Sequence, residues 1–436
     1  MKELLRIAEK AADEAEVFFV RNDASSLSMR NGRTTETSST IQSGYALRLL
    51  KDGKIGTAYT KNLLDRQELV DNALNSLKGN VEAGFSFPGP EDIPEPDAVD
   101  PSIEKLGFED LHEKADKVLQ HMKDDVEGQI DVHSGRGTSE TSVVNSSGLE
   151  VSSASAMMYT YTSLLYPNSE TAVRKVHKSS SVEDFPPDKL DELVALYREG
   201  LPEVDVPTGK MKVVFTPDTM YTLLWRLKAA TSGKSFHNGI SPLQDRRGTA
   251  VLSKKFSLYG DPTDDENIEK RFFDDEGVAT GRHMVFESGV FRNLILNLDY
   301  ADKLGEKPTG TGYRGGMWGG ETVSMQPVPT LASARIAPGD VSFRDMISGM
   351  DRGVIVLGVL GAHSGNILNG DFSIGLNPGF YVEGGKIRGR VKDGMTAGNV
   401  YEVLQNIEAI ENRTHDSSMG GRFPSIMLES VSVAAK

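Results

Sequence analysis

Asp52-Gly53 separates two runs that read as strands, residues 45–50 (Tyr-Ala-Leu-Arg-Leu-Leu) and 55–60 (Ile-Gly-Thr-Ala-Tyr-Thr). A two-residue Asp-Gly connection tolerates the positive φ that a tight hairpin requires, so it joins its flanking strands antiparallel. Further strand-like runs lie at 17–20 and in the Ser/Thr-rich stretch 28–40. Leu4, Leu5, Ala8, Ala11, Ala12 and Ala15 recur at helical spacing, which predicts an opening helix with a small-residue face. A second helix is expected over about 65–77. Residues 1–86 therefore read as an α+β unit of helix, antiparallel strands and helix.

Residues 87–96, Phe-Pro-Gly-Pro-Glu-Asp-Ile-Pro-Glu-Pro, are rich in proline and acid and continue neither regular structure. An extended linker is expected over 87–101. A helix over 102–122, strands on either side of the turn Asn145-Ser-Ser-Gly148, and a helix over 187–199 then form a second α+β unit, 102–206. It repeats the plan of the first unit, as an internal duplication would. Residues 207–436 begin with a strand over 212–217 and a helix over 218–230 that buries Met220, Leu223, Leu224 and Leu227. Repeated alternation and turns beyond it predict a mainly antiparallel β domain with a few helices. One of those helices is expected after Asn399, with Glu402 completing a capping box and Val400, Val403, Leu404, Ile407 and Ile410 on its buried side.

The most unusual tract lies in this last part. Val354-Ile-Val-Leu-Gly-Val-Leu360 reads as a buried strand that runs into Gly361-Ala-His-Ser-Gly-Asn366, Gly370-Asp-Phe-Ser-Ile-Gly375 and Thr396-Ala-Gly-Asn399. It resembles the C-terminal signature of the TldD/PmbA family, in particular the metal-less branch called PmbA or TldE. Gly44-Tyr-Ala-Leu-Arg48, Lys51-Asp-Gly-Lys-Ile-Gly56, Asn145-Ser-Ser-Gly148 and Asp275-Glu-Gly-Val278 extend the resemblance over nearly the whole chain.

Several classes of function are disfavoured. The chain has 436 residues and a formal net charge of −15, which argues against a surface that tracks nucleic-acid phosphates with clustered Lys and Arg. It has no cysteine, hence no disulfide framework, thiolate metal site or cysteine nucleophile. No apolar run approaches the roughly 20 residues that span a bilayer, and the first residues lack a signal-peptide pattern. A cytoplasmic protein that binds neither membrane nor nucleic acid directly is expected.

In the metal-bearing branch, the resemblance implies His-Glu-x-x-x-His on the helix that follows the strand at 212–217, with zinc held by the histidines and water activated by the glutamate. The matching positions here are Trp225, Arg226, Leu227, Lys228, Ala229 and Ala230, and residues 218–235 contain neither His nor Glu. Arg226 and Lys228 would place two cations beside any metal. No metal, no cofactor and no catalytic residue is therefore expected, and Trp225 reads as a core anchor.

Other motifs fail on context. His112-Glu113 and His121 are nine residues apart, on opposite sides of a helix. Gly310-Thr-Gly-Tyr-Arg-Gly315 satisfies G-x-G-x-x-G without the strand-to-helix setting that binds dinucleotides. His363 and Ser364 are chain neighbours, so with Asp371 they do not read as a hydrolase triad. In the structural reading, the side chains of His363, Ser364 and Asn366 satisfy backbone groups where the strand breaks. In the functional reading, Tyr313, Gly315, Gly316, Trp318, His363, Ser364, Asn366 and Asp371 line a groove for an extended polypeptide. The resemblance implies the non-metal subunit of a two-component peptidase, paired with a TldD-like zinc subunit and acting on unfolded peptides. The alternative is a homodimeric peptide-binding or scaffold protein without hydrolysis.

Overall fold

A computed structural model describes residues 1–94, 98–315 and 320–435. Six described strands, β1 (Glu14–Arg30), β2 (Arg33–Lys51), β3 (Lys54–Thr60), β4 (Gln129–Asn145), β5 (Glu150–Leu165) and β6 (Ala172–Ser179), form one antiparallel sheet in the order β3-β2-β1-β4-β5-β6. The two α+β units expected from sequence thus share a single sheet, joined where β1 pairs with β4 from Glu16↔Asn145 to Arg30↔Asp131. Two Asx-Gly hairpins set its register. Asp52 and Gly53 have φ of 51° and 70°, and Asn31 and Gly32 have φ of 45° and 80°, the left-handed pair that matches strand twist.

Helices α1 (Lys2–Ala8), α2 (Arg66–Ser76), α3 (Pro101–Glu104), α4 (Phe108–Met122) and α5 (Pro187–Glu199) accompany the sheet. The opening helix ends at Ala8, and Ala15 lies instead in β1. Strand β1 has 17 residues, about 55 Å at the usual rise. Its odd-numbered side carries Ala15 and Val17 into a core with Leu4, Leu69 and Val70 of α1 and α2, and carries Leu27 and Met29 into a core with α4 and α5. The even side places Phe18 and Val20 with Val143 against Phe273 and Val323 from the C-terminal half. The start of the proline-rich segment is docked: Phe87 is buried, Asn145 Nδ2 donates to Pro88 O at 2.8 Å, and Ser147 Oγ donates to Phe87 O at 3.1 Å.

Beyond the two-residue strand β7 (Glu203–Val204), β8 (Gly209–Phe215) runs through the middle of a mixed sheet of ten described strands. It is parallel to Arg352–Val356 and antiparallel to Ile426–Ala435. Antiparallel pairing dominates this half, and the parallel neighbour is what brings the end of Arg352–Val356 beside the end of β8. The helix after Asn399 is one turn, Val400–Val403, and Ile407–Ile410 pairs as a strand with Ile426–Ala435. The same apolar residues are buried, with sheet pairing overriding the helical period. On one side of the large sheet, Val213, Phe215, Val354 and Val356 share a core with Leu258, Phe286 and Phe291 of a second, smaller sheet. On the other side, Val214, Ile355 and Phe380 join the core that contains Leu193 and Tyr197 of α5.

That shared core makes α5 a wedge between the two halves. Tyr197 stacks on Tyr166 with ring centroids 4.9 Å apart, Arg390 lies 4.3 Å over Tyr166, and the Tyr197 hydroxyl accepts from Gly128 N at 3.0 Å. A second tie is ionic: Arg48 donates bidentately to Glu16 and, through Nη1, to Glu276 of the C-terminal half, each bond 2.8 Å. Burial opposes the Arg48 charge, yet Glu16 and Glu276 hold its pKa above the usual arginine value. Tyr197→Ala should cost about 3–5 kcal/mol, the range for deleting a large buried aromatic. Urea unfolding monitored in both halves should show one shifted transition, whereas loss confined to the N-terminal sheet would contradict a shared core.

Candidate functional site

Strand β8 is followed by Thr216, whose hydroxyl donates to Val356 O at 2.8 Å; the Thr219 hydroxyl reaches the same carbonyl at 3.3 Å. The two parallel strands are thus tied together where both stop. Helix α6 (Tyr221–Thr231) starts there and packs Leu223, Leu224, Leu227 and Ala230 into the core. Arg226 is also fully buried, although it projects from an apolar helix.

The arginine is satisfied by main chain. Nε donates to Asp371 O at 2.6 Å, Nη1 to Thr222 O at 2.6 Å and Ala362 O at 3.2 Å, and Nη2 to Ala362 O at 3.2 Å and Ser364 O at 2.8 Å. These five bonds equal the five N–H groups of a guanidinium. The guanidinium carbon lies 5.9 Å from the Phe372 ring centre. Burial lowers the Arg226 pKa, and the Asp371 carboxylate works in the opposite direction. An arginine titrates so far above neutrality that it stays cationic.

Three of the four acceptors belong to the tract that the sequence singles out. Gly361 turns the chain at φ 70°, and Gly365 has φ 98°, where a Cβ would lie 2.5 Å from Asp371 O. Asn366 Oδ1 accepts from Asn369 N at 3.1 Å, closing a turn. At Gly370 a Cβ would lie 2.6 Å from the Tyr401 ring. Asn399 Nδ2 bridges Asn369 O at 2.8 Å and Asp371 Oδ1 at 2.9 Å, while its Oδ1 caps the short helix by accepting from Tyr401 N at 3.0 Å. The tract is a compact loop closed by Asn399 at one end and by Arg226 underneath.

The groove residues expected from sequence fall in different places. His363, Asn366 and Asp371 are exposed and Ser364 is half-buried; the backbone carbonyl of Ser364, rather than its hydroxyl, makes the bond to Arg226. Tyr313 belongs to the strand Gly312–Arg314, where its ring neighbours Arg271. Gly310-Thr-Gly-Tyr-Arg-Gly315 therefore runs through a strand and opens no helix; Gly315 is exposed. Gly316 and Trp318 lie outside the described residues. Trp225 is only partly buried, so the anchor of α6 is its neighbour Arg226. The signal that could have identified it is an arginine three residues after Leu223 and four before Ala230, inside the buried stripe.

Zinc does not fit this site. α6 presents a guanidinium locked to carbonyls, and among the described residues no three His, Asp or Glu side chains converge to hold an ion. Lys228 adds a second cation: it is half-buried, has no ion-pair or hydrogen-bond partner among the described residues, and burial pulls its pKa from 10.5 to about 8. The unfolded chain keeps a proton that the native amine has lost between those values, so this group makes stability rise with pH from about 8 to 10.5. Brief acetylation at pH 8 should modify Lys228 well ahead of the exposed Lys10, as read by mass spectrometry; equal labelling would contradict the lowered pKa. Arg226→Met strands buried carbonyls and should cost more than about 3 kcal/mol in urea unfolding. Amide exchange over 361–371 should also accelerate, and unchanged exchange there would remove Arg226 as the anchor of the loop.

Residues 208–435 match the family model described as the PmbA/TldA metallopeptidase C-terminal domain, and residues 15–77 match PmbA/TldA metallopeptidase domain 1. A metalloprotease from Methanothermobacter thermautotrophicus is 24% identical, over 93% of this chain and 90% of that one. Metalloprotease PmbA from Escherichia coli O157:H7 is 29% identical over 205 residues, 47% of this chain and 42% of that one. TldE from Thermococcus kodakarensis superposes with a TM-score of 0.89 at 25% identity, covering 100% of both chains. A Thermotoga maritima protein described as a candidate modulator of a DNA gyrase gives 0.85 at 26% identity, covering 99% of both. With more than half of its length under the C-terminal model, the chain belongs to the PmbA/TldA metallopeptidase family.

Proposed function

We propose that this chain is the non-metal, TldE-like subunit of a cytoplasmic two-component peptidase, with zinc chemistry residing in a TldD-like partner. The observation that carries the reading is Arg226: all five of its N–H groups are used on main-chain carbonyls, so it cannot polarise a substrate amide. The whole-length similarity to TldE supports the same assignment. Among the described residues no helix is long and apolar enough to cross a membrane.

The substrate class is an unfolded peptide. Strand Asp371–Leu376 meets the two-residue edge strand Val359–Leu360 only at Gly375 and Leu376. Leu360 and Met395 are exposed nearby, on that edge strand and on the strand paired with Asp371–Leu376. A short edge beside exposed apolar side chains suits main-chain capture of an extended peptide, which grips many sequences. Purified chain mixed with a His-Glu-x-x-x-His relative and an unstructured peptide should co-elute with that relative and support cleavage that neither achieves alone. Absence of co-elution together with cleavage indifferent to this chain would overturn the pairing. Self-association with peptide binding and no cleavage would favour the homodimeric scaffold instead.

A further inference from the structure

Between the N-terminal sheet and the C-terminal half lies a cleft of about 280 Å³, none of whose lining residues belongs to α6 or to residues 361–371. One wall is a square of hydroxyls on adjacent strands. Ser139 is registered opposite Ser155, and Thr141 opposite Ser153, and alternation places all four on the side of β4 and β5 that carries Val143 towards the C-terminal half. Ser139 donates to Asn22 Oδ1 at 2.8 Å; the hydroxyls of Thr141, Ser153 and Ser155 have no hydrogen-bond partner among the described residues.

The facing wall carries Arg271 and Tyr313. The Arg271 guanidinium lies 4.8 Å from the Phe273 ring centre and 5.7 Å from that of Tyr313. Its Nη2 is 2.7 Å from Asp275 Oδ1, an ion pair that leaves both Nε and Nη2 without an aligned hydrogen bond. Asp275 is itself anchored, because its Oδ2 accepts from Arg314 N at 2.6 Å. The buried Tyr313 hydroxyl also has no partner, and burial holds its pKa above the usual tyrosine value, keeping it a donor. Lys270 reaches Asp265 at 2.7 Å, and the carboxylate lining the cleft, Glu269, is exposed. Buried polar groups are normally hydrogen-bonded; of the ten buried side-chain atoms without a hydrogen bond among the described residues, three, Arg271 Nε and Nη2 and the Tyr313 hydroxyl, belong to residues that line this one cavity, and each can donate.

We infer that this cleft is a binding site for an oxyanion, a carboxylate or phosphate group held by Arg271, Tyr313 and the hydroxyls of Thr141, Ser153 and Ser155. Charge-assisted bonds from a guanidinium fit such a group better than a neutral ligand. The volume is near the low end for ligand sites, room for a terminal group rather than a large molecule. The wall residues come from both halves of the chain, so occupancy would also tie the N-terminal sheet to the C-terminal half.

Calorimetric titration of the full chain at pH 7 and low salt, with inorganic phosphate, acetyl-trialanine and acetyl-trialanine amide, tests this. One-to-one saturable binding of phosphate or of the free-acid peptide is expected. The acid binding where its amide does not identifies a peptide carboxylate; phosphate binding where neither peptide does identifies free phosphate. Arg271→Gln should weaken the bound probe at least tenfold. Because that change also disturbs the Asp275 pair, Tyr313→Phe with Ser155→Ala provides a milder version. It should weaken binding several-fold while leaving the melting temperature without probe unchanged. No saturable binding of either oxyanion, or binding indifferent to all three substitutions, would overturn the site.

Discussion

The site depends on one buried cation and the carbonyls around it. Taking a guanidinium out of water costs several kcal/mol, even after the protein relaxes, and no carboxylate bonds to Arg226 in return. Its five bonds to four carbonyls compensate, because hydrogen bonds to a charged group are stronger than neutral ones. Those carbonyls come from α6 and from a loop more than 130 residues further along the chain. The bonds therefore fix the loop relative to the helix, and the glycines at 361, 365 and 370 supply the backbone conformations that let its carbonyls converge.

That arrangement needs a firm base, which the two halves provide jointly. Helix α5 packs between the N-terminal sheet and the large sheet, and Arg48 draws Glu16 and Glu276 into one buried ionic cluster. Burial raises the Glu276 pKa, and Arg48 partly restores it. Removing Arg48 would leave Glu276 buried without its cation and Glu16 with only Arg314, at 3.7 Å, a larger loss than the net value of the pair. The cluster joins β1 and β2 to the C-terminal half alongside the apolar contacts of Phe18 and Val143 with Phe273.

The sequence made local structure legible and left long-range pairing obscure. The helix expected over 187–199 is found as Pro187–Glu199, and the one expected over about 65–77 is found as Arg66–Ser76, capped by Asp65, whose carboxylate accepts from Gln67 and Glu68 N. Asp52-Gly53 marks its hairpin in the sequence, whereas Asn31-Gly32, with the same left-handed pair, is masked by a polar Ser/Thr stretch that has no apolar alternation to frame it. Residues 407–410 keep an apolar pattern compatible with helix or strand, and only the neighbouring strand Ile426–Ala435 decides between them. The glycine-rich tract was visible as unusual, but its partner was not. A lone arginine in a helix reads as surface unless its acceptors are known, and here three of the four lie far along the chain.

The same geometry explains what kind of site this is. A catalytic cation must keep some capacity for the substrate, as an open coordination position or an unused N–H aimed at developing charge. Arg226 keeps none, since each N–H already has a carbonyl and the residue is fully buried. Its positive charge also disfavours a dication close by, at roughly 332/εr kcal/mol per unit-charge pair. An arginine at this point of the helix therefore fixes the loop above it and leaves no N–H for a substrate.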